Sequence, residues 1–98
     1  MILHSRFCIT FSSGCDHLPV NAYILLKLKP IPIEELEKAM QKFKEVKSCA
    51  VVTGEIDVIL YVETADAHEL FELVKKLRDL PFVIETRTSI IISTCLKR

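Results

Sequence analysis

A chain of 98 residues, half of them apolar, has room for one domain with a modest core and none for a second. Its 13 basic and 13 acidic side chains cancel, which removes the electrostatic footprint of a domain that tracks nucleic-acid phosphates. No apolar run approaches the roughly 18 to 20 residues that span a bilayer, and the N-terminus lacks the regions of a secretory signal, so the cytoplasm is the expected location.

Residues 1–20 stand apart from the rest, with Ser12-Ser13-Gly14, few charges and no helical period. Arg6 to Phe11 has strand-like residues, and an extra edge strand, a flexible leader and an arm reaching a neighbouring subunit all fit it. Cys8, Cys15 and His17, with His4 nearby, lack the paired C-x2-C spacing of a zinc knuckle, so neither a metal nor a cofactor is expected. The four cysteines match no secreted disulfide framework. They read as buried or partly buried free thiols, with Cys49 and Cys95 in strands.

Residues 21–96 read as the folded domain. Residues 21–29 form a first strand, because Ala22, Ile24, Leu26 and Leu28 alternate with Tyr23, Leu25, Lys27 and Lys29. Pro30 and Pro32 stop it. Ile33, Leu36, Ala39, Met40 and Phe43 then share one face of a helix that ends near Glu45, with glutamates early and lysines late to suit the dipole. Val46 to Thr53 is the second strand and Ile56 to Glu63 the third, joined as a β-hairpin in which Gly54, one of two glycines, takes the positive-φ position. Asp66 and Glu69 make a capping pair for a second helix, whose apolar stripe is Ala67, Leu70, Phe71, Val74 and Leu77. His68 is a solvated helix residue. Leu80-Pro81 closes that helix, and residues 82–94 supply the last strand.

The order strand, helix, strand, strand, helix, strand predicts an α+β fold of the ferredoxin-like βαββαβ type. It has a four-stranded antiparallel sheet with both helices on one face, the plan of dimeric α/β barrels. The other face of such a sheet in a monomer is polar. Here Tyr23, Leu25, Val51, Ile59 and Tyr61 fall on it if Ile24, Leu26, Val52, Val58 and Leu60 face the helices. An apolar patch of that size marks an interface, and sheet-on-sheet packing of a homodimer covers it most simply, with residues 1–20 as the alternative cover.

No catalytic constellation stands out. A metal chaperone needs a C-x-x-C loop, and a nucleophilic cysteine needs a base, yet His4, His17 and His68 all lie outside the expected sheet. Glu55 and Asp57 flank the hairpin as turn carboxylates.

The run Val51-Val52-Thr53-Gly54-Glu55-Ile56-Asp57-Val58, followed by Thr86-Arg87-Thr88-Ser89-Ile90-Ile91, resembles the effector-binding RAM domain of the Lrp/AsnC (leucine-responsive) transcription regulators over residues 21–96. The resemblance implies a dimer of paired sheets, assembly into rings such as octamers, and a small-molecule effector, typically an amino acid, at contacts between dimers. By position it implies that Thr53, Gly54, Glu55 and Asp57 form one wall of the pocket. Thr86, Thr88 and Ser89 of a neighbouring subunit form the other. Asp57 would take a ligand ammonium, with hairpin capping as its plain structural reading.

The family's DNA-binding half has no counterpart here, so direct nucleic-acid contact is not expected. The expected function is a stand-alone effector-binding and oligomerisation domain that modulates full-length regulators of the family. Two rivals stand beside it. One is a small dimeric α/β-barrel enzyme, which needs titratable groups in a cleft between sheet and helices where aliphatic residues are expected. The other is an oligomerisation module without ligand.

Overall fold

Alternation of apolar side chains sets the strands, and the computed structural model, which describes residues 19–96, follows it closely in the two central ones. β1 (Val20–Leu28) buries Ala22, Ile24 and Leu26, while β3 (Val58–Thr64) buries Val58, Leu60 and Val62, all with no exposed surface. Around them stand α1 (Ile33–Gln41), β2 (Val46–Val51), α2 (Ala67–Arg78) and β4 (Val83–Ile90). Every pairing is antiparallel and the sheet order is β2-β3-β1-β4, so the expected βαββαβ plan is the one observed.

The core lies between the helix-facing rows of β1 and β3 and the inner faces of both helices, Leu36, Ala39 and Met40 from α1 and Leu70, Leu73 and Leu77 from α2. α1 stops at Gln41 rather than near Glu45. After Lys42, Phe43 donates its N–H to the Met40 carbonyl and swings back against the core, and Val46 bonds to Phe43 to open β2. The stripe expected on α2 is also displaced. Leu73 is buried, whereas Phe71 is 58% exposed and Ala67 is exposed. Each residue turns a helix by about 100°, so a stripe centred on Leu70, Leu73 and Leu77 leaves Phe71 on the flank. The cap is as expected: Asp66 Oδ1 accepts the Glu69 N–H at 2.8 Å, and Glu69 Oε1 reaches back to the Ala65 N–H at 2.8 Å.

β2 departs from its expected phase. Val46 pairs with Val62, but Ser48 pairs with Tyr61, so Lys47 is an extra residue and the strand bulges. Beyond the bulge the alternation is inverted: Cys49 and Val51 lie on the helix side beside Leu60 and Val58, and Ser48 and Ala50 face the other way. Val51 therefore does not join Tyr23 on the bare face, as the sequence predicts. Val52 lies past the strand's end and does not take the helix-facing place expected of it. β4 ends at Ile90 instead of Thr94, one further bond running from the Ile91 N–H to the Asn21 carbonyl at 2.8 Å. Among the described residues no helix is long and apolar enough to cross a membrane.

Candidate functional site

The β2–β3 connection is longer than a two-residue hairpin, because β3 begins at Val58 rather than Ile56. The Val52 N–H donates to the Asp57 carbonyl at 2.9 Å, closing a four-residue tip, Thr53-Gly54-Glu55-Ile56. Gly54 holds a φ of 117°, the expected left-handed conformation, and the space where a Cβ would sit is empty out to 4 Å. Thr53, Gly54 and Glu55 are exposed, whereas Asp57 is half-buried.

Asp57 ties this tip to β1. Its N–H donates to the Leu26 carbonyl at 3.0 Å, and its Oδ2 accepts the Leu28 N–H at 2.8 Å. The Lys27 ammonium reaches the Glu55 carbonyl at 3.4 Å. Lys27 lies opposite Glu85 and Leu25 opposite Arg87, so these charged residues share the bare face at the end of the sheet where the tip emerges. Arg87 Nε donates to Glu85 Oε2 at 2.7 Å. That carboxylate raises the guanidinium's already high pKa, and the nearby charge of Glu55 adds to the effect. Lys27, Glu85 and Arg87 were not singled out by sequence reasoning. The signal for Lys27 is its place in the same row of β1 as Tyr23 and Leu25; for the other two it lies in the register of β4.

The three hydroxyl residues expected to form a common wall do not share a face. Thr86 and Thr88 stand opposite Leu26 and Ile24 on the helix side, and Ser89 stands opposite Tyr23 on the bare side. A strand alternates its side chains with period two, so Thr86 and Thr88 lie on one face of β4 and Ser89 on the other.

On the bare face Tyr23 pairs with Tyr61 and Leu25 with Ile59. The two tyrosine rings lie 5.5 Å apart at 50°, and the Tyr61 hydroxyl donates to Glu63 Oε2 at 3.0 Å. Burial first, then the hydrogen bond to Glu63 and that carboxylate's charge, push the Tyr61 phenol up from its ordinary value. After β4 the chain turns over this face, where Ile91, Thr94 and Leu96 enclose a hollow of about 460 Å³ with Tyr23, Ser48, Tyr61 and Glu63. Of residues 1–20, the alternative cover expected from the sequence, Val20 opens β1, and residues 1–18, with His4, Cys8, Cys15 and His17, lie outside the described residues.

Cys49 and Cys95 are free thiols on exposed residues, Cys49 with its sulfur partly buried, and Cys95 lies beyond β4 rather than in a strand. The Cys49 thiol faces the α1 flank, where partial burial and then the Glu37 charge raise its pKa. Among the described residues no group of three or more His, Cys, Asp or Glu side chains could hold a metal. The interior between sheet and helices is filled by aliphatic side chains. Thr64, the buried polar residue there, donates its hydroxyl to the Val20 carbonyl at 2.6 Å.

Compared with known proteins, residues 21–98 match the Lrp/AsnC ligand binding domain. The leucine-responsive regulatory protein of Haemophilus influenzae is 35% identical over 68 residues, which are 68% of this chain and 41% of that protein. FFRP-DM1, a solved structure, superposes with a TM-score of 0.69 at 34% identity, covering 74% of this chain and 99% of that one. The feast or famine regulatory protein Rv3291c of M. tuberculosis, solved with L-methionine, gives 0.65 at 27% identity over 97% of this chain and 68% of its own. The chain spans about half the length of the curated relatives it matches, from 41% to 53%.

Proposed function

Because this chain belongs to the family of Lrp/AsnC ligand-binding domains, we propose that it binds an amino acid or a related metabolite where subunits meet, and thereby modulates transcription regulators of its family. It acts by binding and assembly, without catalysis. The observation that carries this reading is the β2–β3 tip: an exposed glycine with open space beside its backbone, next to exposed charges of both signs. Backbone N–H groups at such a tip can hold a carboxylate, as can the Lys27 ammonium. Glu55 offers a solvent-facing carboxylate for an ammonium. L-methionine in the Rv3291c complex is a molecule of this kind.

Two subunits associate through their bare faces, covering Tyr23, Leu25, Ile59 and Tyr61, and further contacts between such dimers complete the pocket. Thr53, Gly54 and Glu55 belong to one wall, and Asp57 to the loop that carries it. The second wall comes from another subunit's β4, where the split of the hydroxyls means that a tip meets either Thr86 and Thr88 or Ser89. A ligand that bridges subunits favours the assembly that completes its site.

Sedimentation equilibrium with and without a panel of amino acids, headed by L-methionine and L-leucine, tests the reading. At least one compound is expected to bind saturably and to change the average mass. A chain that stays monomeric and binds none of the panel would overturn it.

A further inference from the structure

Asp57, the residue that follows the tip, is bonded inward through both its backbone and its side chain. Its carbonyl accepts from Val52, its N–H donates to Leu26, and its carboxylate accepts from Leu28, so backbone and side chain together bracket the tip against β1. The Leu28 amide needs that carboxylate. Leu26 pairs with Val58, and the same register carried two residues on would set Ile56 opposite Leu28, but Ile56 already belongs to the tip. The ladder has ended where β1 has not, and its pairing with β4 shifts at the same point, between Lys27 and Leu28. A half-buried N–H without an acceptor is costly, and the Asp57 oxygen at 2.8 Å supplies one.

We propose that Asp57 is a positioning residue: its carboxylate orients the Thr53–Ile56 tip by capping β1 at Leu28, and it does not serve as the partner of the ligand's ammonium. This rests on the reading of the tip as a ligand wall, and it divides the labour of that wall. The exposed Thr53, Gly54 and Glu55 meet the ligand, and the half-buried Asp57 holds them in place. What the position then requires is an acceptor oxygen in the right place, not a negative charge. An asparagine keeps the oxygen and discards the charge.

The test compares Asp57→Asn with Asp57→Ala in two measurements, hydrogen exchange of the Leu28 amide without ligand and affinity for whichever amino acid binds the unaltered protein. Asp57→Asn is expected to keep Leu28 protected and to bind within about threefold of the unaltered protein. Asp57→Ala is expected to speed Leu28 exchange and to weaken binding by about tenfold or more. If Asp57→Asn keeps Leu28 protected but loses affinity, the charge itself meets the ligand and the proposal is overturned. An Asp57→Asn chain with an unprotected Leu28 amide also overturns it, because the oxygen then does not act as a cap. Asp57→Asn decides the question even where Asp57→Ala does not fold. Should no amino acid bind the unaltered chain, the ligand reading falls by itself, and the exchange measurement still tells whether Asp57 caps β1.

Discussion

Ile59 and Leu60 are neighbours in β3 that look in opposite directions, and they show how differently the two faces of this sheet are used. Leu60 sits under the helices with no exposed surface, among Ile24, Val58 and Leu70 in one continuous core. Ile59 sits beside Leu25 on the bare side and is only half-buried. One apolar set is already used for folding, and the other is left over for association. The sharpest way to break this contrast is Leu60→Ala, expected to cost about 3 kcal/mol because the methyls removed leave a cavity that helices on one side and sheet on the other cannot close. Urea denaturation followed by circular dichroism reads it. A loss below about 1 kcal/mol would mean that the helix face is not the structural core.

The matching change on the other side is Ile59→Lys. Fold stability is expected to change by about 1 kcal/mol or less, since the substituted side chain reaches solvent in a single subunit. Association is expected to fall much further, because two such faces brought together would bury two lysines without partners. Sedimentation equilibrium of this variant beside the unaltered chain separates the two effects. An unchanged mass with an unfolded spectrum would reverse the assignment of the faces.

This contrast was legible in the sequence where alternation is strict. β1 and β3 place their apolar residues as the pattern predicts, so Tyr23, Leu25, Ile59 and Tyr61 could be set opposite Ile24, Leu26, Val58 and Leu60. In β2 it failed for a physical reason: one extra residue at Lys47 reverses every side chain after it, and composition does not register a bulge. The same limit applies to α2, where Leu73 and Phe71 are equally apolar and only packing decides which turns inward. The run Val52-Thr53-Gly54-Glu55-Ile56-Asp57 announces a turn, and Gly54 takes the positive φ expected of it there. The bond that holds the tip, from Asp57 to Leu28, joins residues 29 apart in the chain, and no local pattern announces it. Nor does the run Ile90-Ile91-Ile92 announce that pairing stops after one more bond, because its composition remains that of a strand.

The smallest expected effect sharpens the comparison without altering the fold. Tyr61 stands on the bare face, and its phenol already titrates above its ordinary value of 10.0, through burial, the hydrogen bond to Glu63 and that carboxylate's charge. A raised folded pKa favours the neutral phenol, so its contribution to stability is complete below the unfolded value and disappears as pH rises through the folded one. Association through this face would remove the ring from water and raise the pKa further. Ultraviolet titration of the Tyr23→Phe protein, in which Tyr61 is the remaining tyrosine, is therefore expected to move to higher pH as protein concentration increases. Glu63→Gln should lower the value at every concentration by removing the charge, while leaving the concentration dependence in place. The two shifts have separate origins, one within a strand and one between subunits. A titration that follows Glu63 but ignores concentration would assign the tyrosine's environment to its own chain and leave the bare face open to solvent.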